Sequence, residues 1–258
     1  LAGHRAGRGF TTALATTDVA VDGAAATVLA ADPASGLEAS IRLELSPRGV
    51  LRSRIRVENV GADAYTLDDL HVTLPLPDDA DEILDTTGHH LRERAPQRRT
   101  LTIGAHVRES RRGRPGADAS LLLAVGARGF GFERGLVHAV HVAWSGNHRM
   151  LAERTVTGEA LLAAGELLLP GEVVLAPGDA YETPWVVASW GDGLTELSGR
   201  IHDDLRARPQ HPRRARPVTL NTWEAVYFDH DLDRLVALAD RAAAVGVERF
   251  VLDDGWFL

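Results

Sequence analysis

Arg249-Phe250-Val251-Leu252-Asp253-Asp254-Gly255-Trp256-Phe257-Leu258 is the stretch whose reading decides the fold. A short apolar, β-prone run breaks into two carboxylates, a glycine and an indole, the pattern of a buried strand ending in a ligand site. Just upstream, Leu232, Leu235, Val236, Ala239, Ala242 and Ala243 recur at helical spacing over residues 231–244. Asp229 or Asp231 can cap that helix and Gly246 suits its end. Before it, Val218-Thr219-Leu220-Asn221 reads as a second short strand opening into Thr222-Trp223-Glu224-Ala225. Strand, helix, strand with a right-handed crossover predicts two parallel strands. Both end in polar and aromatic residues, Asn221 and Trp223 on one, Asp253, Asp254 and Trp256 on the other. In a (β/α)8 barrel the carboxyl ends of the strands carry the active site.

Farther upstream, Arg208-Pro209-Gln210-His211-Pro212-Arg213-Arg214-Ala215-Arg216-Pro217 cannot continue a helix and reads as a boundary. Leu194, Leu197, Ile201 and Leu205 before it sit at helical spacing, as a connector. From residue 13 to about 187 the pattern changes to short runs separated by Gly, Asp, Pro and Asn. Ser40-Ile41-Arg42-Leu43-Glu44-Leu45 and Leu51-Arg52-Ser53-Arg54-Ile55-Arg56-Val57 alternate with the two-residue period of strands wet on one face. Further strands are expected at 26–29, 70–74, 101–103, 121–125, 137–144, 161–168 and 181–188. Asp22-Gly23, Pro47-Arg48-Gly49, Asn59-Val60-Gly61 and Pro170-Gly171 supply reversals. The expected architecture is an antiparallel β-sandwich over residues 1–190, a helical linker over 191–216, and barrel elements over 217–258. The arginine-rich segment from His89 to Arg114 reads as a solvated loop or subunit contact, with anion binding as the alternative.

The chain has 258 residues, 45% of them hydrophobic and 25% charged, a composition that can build a core. Its net charge of -8 argues against a nucleic-acid or anionic-membrane surface, since phosphate binding needs a cationic footprint. No apolar run approaches the roughly 20 residues of a membrane span. Without cysteine there is neither a disulfide nor a thiolate metal site, and without lysine no Schiff base. The chain opens on Leu1, not methionine, so an upstream portion, with any signal peptide, is expected to lie outside it. The expected compartment is the cytoplasm.

Carboxylates accept charge-assisted hydrogen bonds from vicinal hydroxyls, and indole faces cover the C–H side of a pyranose. Asp253 and Asp254 beside Trp223 and Trp256 therefore suit a sugar. They do not suit the catalytic pair of a retaining glycosidase, whose carboxyls face each other at about 5–5.5 Å. Neighbours in an extended segment point in opposite directions. The bland alternative is that the two aspartates cap a following helix. No third carboxylate or histidine nearby suggests a metal, and no cofactor motif is present. His138 and His141, three apart on a strand, face opposite ways and are expected to be neutral and hydrogen-bonded. The glycine-rich run from Gly126 to Gly135 reads as a hairpin.

Asn221-Thr222-Trp223-Glu224-Ala225, then Tyr227-Phe228-Asp229, and Val251-Leu252-Asp253-Asp254-Gly255-Trp256-Phe257 together resemble the barrel opening of glycoside hydrolase family 36, the microbial α-galactosidases. Trp144-Ser145-Gly146-Asn147-His148 resembles a loop of the same family, and the long β region its N-terminal supersandwich. The resemblance implies release of terminal α-linked galactose, as from raffinose or melibiose, with retention. It makes Asp253 and Asp254 ligands of the galactose hydroxyls, Trp223 part of the sugar wall, Trp256 a shaper of the pocket, and Asn147 part of a loop reaching an active site, that of a neighbouring subunit included.

The same resemblance places the nucleophile in a lysine-tryptophan-aspartate type motif on a later barrel strand, and the acid/base later still. Neither lies before Leu258, so no catalytic residue is assigned, the barrel is expected to be truncated after its second strand, and the fragment is expected to be inactive. The parent is expected to be a homo-oligomer acting on galactose-containing oligosaccharides, with no nucleic-acid or membrane partner. Two alternatives stay open: a stand-alone carbohydrate-binding or oligomerising β-sandwich, and a fragment of an α-N-acetylgalactosaminidase.

Overall fold

The computed structural model describes residues 1–117 and 122–256. They form two compact units, Leu1–Ala207 and Arg208–Leu258. The first carries strands β1 (Ala2–His4), β2 (Ala15–Asp22), β3 (Ala25–Asp32), β4 (Leu37–Leu45), β5 (Leu51–Asn59), β6 (Tyr65–Asp69), β7 (Val72–Leu76), β8 (Ala80–His89), β9 (Arg92–Thr100), β10 (Gly104–Ser110), β11 (Leu123–Ala127), β12 (Leu136–Val142), β13 (His148–Arg154), β14 (Ala160–Glu166), β15 (Val173–Leu175), β16 (Ala180–Glu182) and β17 (Val186–Asp192), then helix α1 (Leu194–Ala207). One large sheet runs β2-β3-β4-β5-β17-β12-β11-β8-β9, with β16 also on β5; β10-β13-β14-β7 and β1-β6-β15 form two smaller sheets.

The pairings within this unit's sheets are antiparallel, and the alternation along β5 shows what they bury. Ser53, Ile55, Val57 and Asn59 turn inward, Ile55 and Val57 sharing one core with Leu67 of β6, Met150 of β13 and Leu162 of β14. Arg52 and Arg54 turn outward, the Arg54 guanidinium lying 4.4 Å from the Trp185 ring centroid. Asn59 is fully buried and fully used. Its Nδ2 donates to the Asp63 and Leu175 carbonyls, each at 2.9 Å, and its Oδ1 accepts from Arg5 at 2.7 Å and from the Gly61 amide at 3.1 Å. Tyr181 on β16 donates to Glu166 on β14 at 2.5 Å; burial first, then this bond, pushes its phenol far above the ordinary value.

Several sequence expectations need correction. Residues 101–103 are not a strand; they link β9 to β10, and only Ile103 makes an isolated bridge, to Arg154. The arginine-rich segment expected to be a loop is largely these two strands. β9 is the open edge of the large sheet and wet along most of its length, so no apolar alternation marks it. The strand expected at 121–125 is β11, Leu123–Ala127, with Leu121 outside the described residues. Helix α1 is not a free connector. Its Leu197, 1% exposed, packs with Ala124, Phe130, Val137 and Ala139 on the large sheet, and Leu194 and Ile201 join them, so the first unit runs on to Ala207. Leu205 stays exposed.

The second unit contains β18 (Thr219–Asn221), the short helix α2 (Trp223–Val226), α3 (Leu232–Ala244) and β19 (Arg249–Val251). β18 and β19 are parallel, with Thr219 opposite Arg249 and Asn221 opposite Val251. The Asp231 carboxylate caps α3 by accepting from the Arg234 amide at 2.8 Å. Gly246, at φ 88°, ends it: the Gly246 amide returns to Ala243 and the Val247 amide to Ala242, both at 3.0 Å, a Schellman arrangement. The expected apolar stripe is only partly used, since Ala242 is buried while Leu232 and Val236 are exposed.

Candidate functional site

The parallel register brings the two strand ends together. Leaving β18, the Asn221 side chain turns across to β19's end, where its Nδ2 donates to Asp253 Oδ2, while its Oδ1 accepts from the Trp223 amide at 2.8 Å. Thr222, wholly buried, donates its amide to the Val251 carbonyl at 3.1 Å, and its Oγ1 accepts from the Asp253 amide at 3.2 Å. The Asp253 Oδ1 accepts from the Asp254 amide at 2.7 Å, and the Asp254 Oδ1 from the Gly255 amide at 3.2 Å. Each of the two successive aspartates thus accepts from the amide that follows it. The Asn221 bond, and after it the Asp254 amide, hold the Asp253 carboxyl below its ordinary range.

Trp223 lies beside this turn system, half-buried, with its ring edge-on to Tyr227 at 5.3 Å and to Phe228 at 5.0 Å. Gly255 has φ 99°, and a Cβ there would lie 2.8 Å from Phe228 Cδ1. The glycine is needed twice over, for its dihedral and for the close approach of the ring. Trp256 is 71% exposed, and Phe257 and Leu258 lie outside the described residues. The structure therefore gathers Asp253, Asp254 and Trp223 at one end of the strand pair. It adds Asn221, which the sequence marked only as a polar strand end, and Phe228, which no spacing rule singled out.

Asn147 belongs to the first unit, in the turn between β12 and β13. Its Oδ1 accepts from the Gly113 amide at 2.7 Å and its carbonyl from the Leu167 amide at 3.1 Å. His138 and His141 both lie on β12, and burial pushes the His138 imidazole below its ordinary value. Among the described residues no group of three or more His, Asp or Glu is placed to hold a metal ion, and no helix is long and apolar enough to cross a membrane.

Comparison with known proteins bears on both units. The sequence pattern of the glycosyl hydrolase family 36 N-terminal domain matches residues 2–176, and that of melibiase matches residues 180–258. An α-galactosidase of Escherichia coli is 38% identical over 262 residues, taking in 100% of this chain and 37% of that protein. The α-galactosidase AgaA of Geobacillus stearothermophilus is 31% identical over 236 residues, 89% of this chain and 32% of its own. Among solved structures, the galactosidase domain of the α-galactosidase-sucrose kinase AgaSK superimposes with a TM-score of 0.88 at 25% identity, over 100% of this chain and 40% of that one. An AgaA variant in complex with raffinose gives 0.85 at 27% identity, over 99% of this chain and 39% of that one. The chain thus spans well under half the length of these relatives.

Proposed function

Since the chain belongs to glycoside hydrolase family 36, we propose that it is the N-terminal part of a retaining α-galactosidase whose substrates are galactose-terminated oligosaccharides such as raffinose or melibiose. In this reading β18, α3 and β19 open the (β/α)8 catalytic barrel, and the β-sheet unit is the domain that precedes it. The observation that carries the reading is the Asn221 to Asp253 bond across two parallel strand ends. It orients a carboxylate, and lowers its pKa, at the carboxyl end of a barrel-type strand pair, where a sugar hydroxyl can donate to it.

Asp253 and Asp254 serve as clamps on galactose hydroxyls, Trp223 as the apolar wall, and Trp256 as a shaper of the pocket. Asn147 contributes through its loop. Neighbours in an extended segment point in opposite directions and cannot face each other across a scissile bond, so neither Asp253 nor Asp254 is assigned as nucleophile or acid/base. The chain contains no lysine, hence no lysine-tryptophan-aspartate segment, and the chemistry needs residues other than these 258. The test is twofold. The chain should bind galactose saturably in a calorimetric titration, with binding abolished by Asp254→Ala, and it should not turn over an aryl α-galactoside. Retaining hydrolysis by the purified chain would overturn the assignment of roles, and binding that survives in residues 1–207 alone would move the sugar site to the β-sheet unit.

A further inference from the structure

Tyr227 has φ 49° and ψ −119°, and the Asp229 amide donates to the Val226 carbonyl at 2.9 Å. These are the dihedrals and the closing bond of a type II′ turn, whose first central position ordinarily belongs to glycine. A tyrosine keeps such a conformation only when its surroundings over-determine it. Here they do. The Tyr227 hydroxyl donates to Glu224 at 3.2 Å and its amide to the Trp223 carbonyl at 2.8 Å. Arg234, from the first turn of α3, donates to the Ala225 carbonyl at 2.6 Å and pairs with Asp229 at 3.6 Å.

The turn delivers Phe228 to a particular place. One side of its ring meets the Trp223 indole, with the planes at 90° and centroids 5.0 Å apart. Another meets Gly255, where even a methyl group would collide with Phe228 Cδ1. Phe228, 63% exposed, thus stands as a wedge only on its inner side, between the indole and the segment that carries Asp253 and Asp254. An unstrained φ at Tyr227 would rotate the following peptide and withdraw the wedge. We infer that Tyr227 is a positioning residue: its strained turn holds Phe228 so that the Trp223 indole keeps a fixed relation to the two carboxylates, which sets the shape of the sugar wall.

The inference rests on the reading of Trp223 and the aspartates as a galactose site, and its test separates the two. In the 258-residue chain with 15N-labelled tryptophan, the Trp223 indole N–H should be rigid on the nanosecond scale and show contacts to the Phe228 ring. Tyr227→Val, whose β-branched side chain resists positive φ, should disfavour the turn, so the indole becomes mobile and galactose affinity falls by about three- to tenfold. Tyr227→Gly, which suits the first position of this turn, should behave as the parent. Phe228→Ala, which keeps the strained turn and deletes the wedge, should reproduce the loss. A rigid indole and unchanged affinity in Tyr227→Val or Phe228→Ala would overturn the proposal. If the parent itself fails to bind galactose, the sugar reading falls, and the mobility of the indole in the two variants alone decides whether the wedge exists.

Discussion

Asp253 owes its lowered pKa first to the Asn221 amide and then to the Asp254 backbone N–H, with desolvation opposing both. A depressed carboxylate contributes stability, and here a binding-competent charge, that is fully present above its ordinary value of 3.8 and is lost as pH falls through the lower folded value. Asn221→Ala is therefore expected to raise the Asp253 titration midpoint and to move the acid limb of galactose binding upward with it. A carbon-detected NMR titration of the Asp253 carboxyl, in parent and variant, checks this; an unmoved midpoint would show that the Asp254 amide suffices. Asn221 illustrates how residue-scale chemistry hides in sequence. Its partner lies 32 positions away and becomes adjacent only because β18 and β19 are parallel and in register.

Among elements, β5 joins β4, β16 and β17 in the large sheet, and its last residue makes four hydrogen bonds. Asn59 serves the segment around Arg5, its own following turn and β15 through four hydrogen bonds in a site without solvent. Asn59→Ala leaves buried donors and acceptors unpaired, so a loss of about 2–4 kcal/mol is expected in urea unfolding, where exposed polar substitutions cost a few tenths. The same strand shows why some elements were legible. Alternation in β4 and β5 reports a sheet with one dry and one wet face, and the expected runs 40–45 and 51–57 lie within the observed strands. β2, exposed along its whole length, and β9, wet on most positions, carry no such contrast. For α3 the cap and the terminal glycine were readable because they act locally. Which stripe residues are buried was not, because Leu232 and Val236 follow the helical period yet have nothing packed over them.

For the molecule as a whole, two partly buried histidines contribute to the response to mild acid. Desolvation is the leading cause that lowers both His71 and His138 below the ordinary 6.5, against opposing carboxylates at Asp69 and Asp79. Below pH 6.5 the unfolded chain takes up protons that the folded chain resists, so stability falls as pH drops from 6.5 toward the folded values. The thermal midpoint should accordingly decline before the carboxylates begin to titrate. A His71→Gln, His138→Gln chain should flatten that part of the profile, and an equal decline in both would place the acid sensitivity elsewhere.

Sequence by itself determined the antiparallel sheet class, the parallel strand pair with its capped helix, the family, and the grouping of aromatic and acidic residues at the strand ends. Each of these is written in local period, turn chemistry or ordered motifs. Tertiary structure alone decided that α1 belongs to the sheet it covers, that the Asn221 amide meets the Asp253 carboxylate, that Phe228 stands between Trp223 and Gly255, and that Tyr227 holds a positive φ. The physical reason is common to all four: burial, pKa and backbone strain depend on what approaches from distant parts of the chain, and spacing along the sequence carries no record of that.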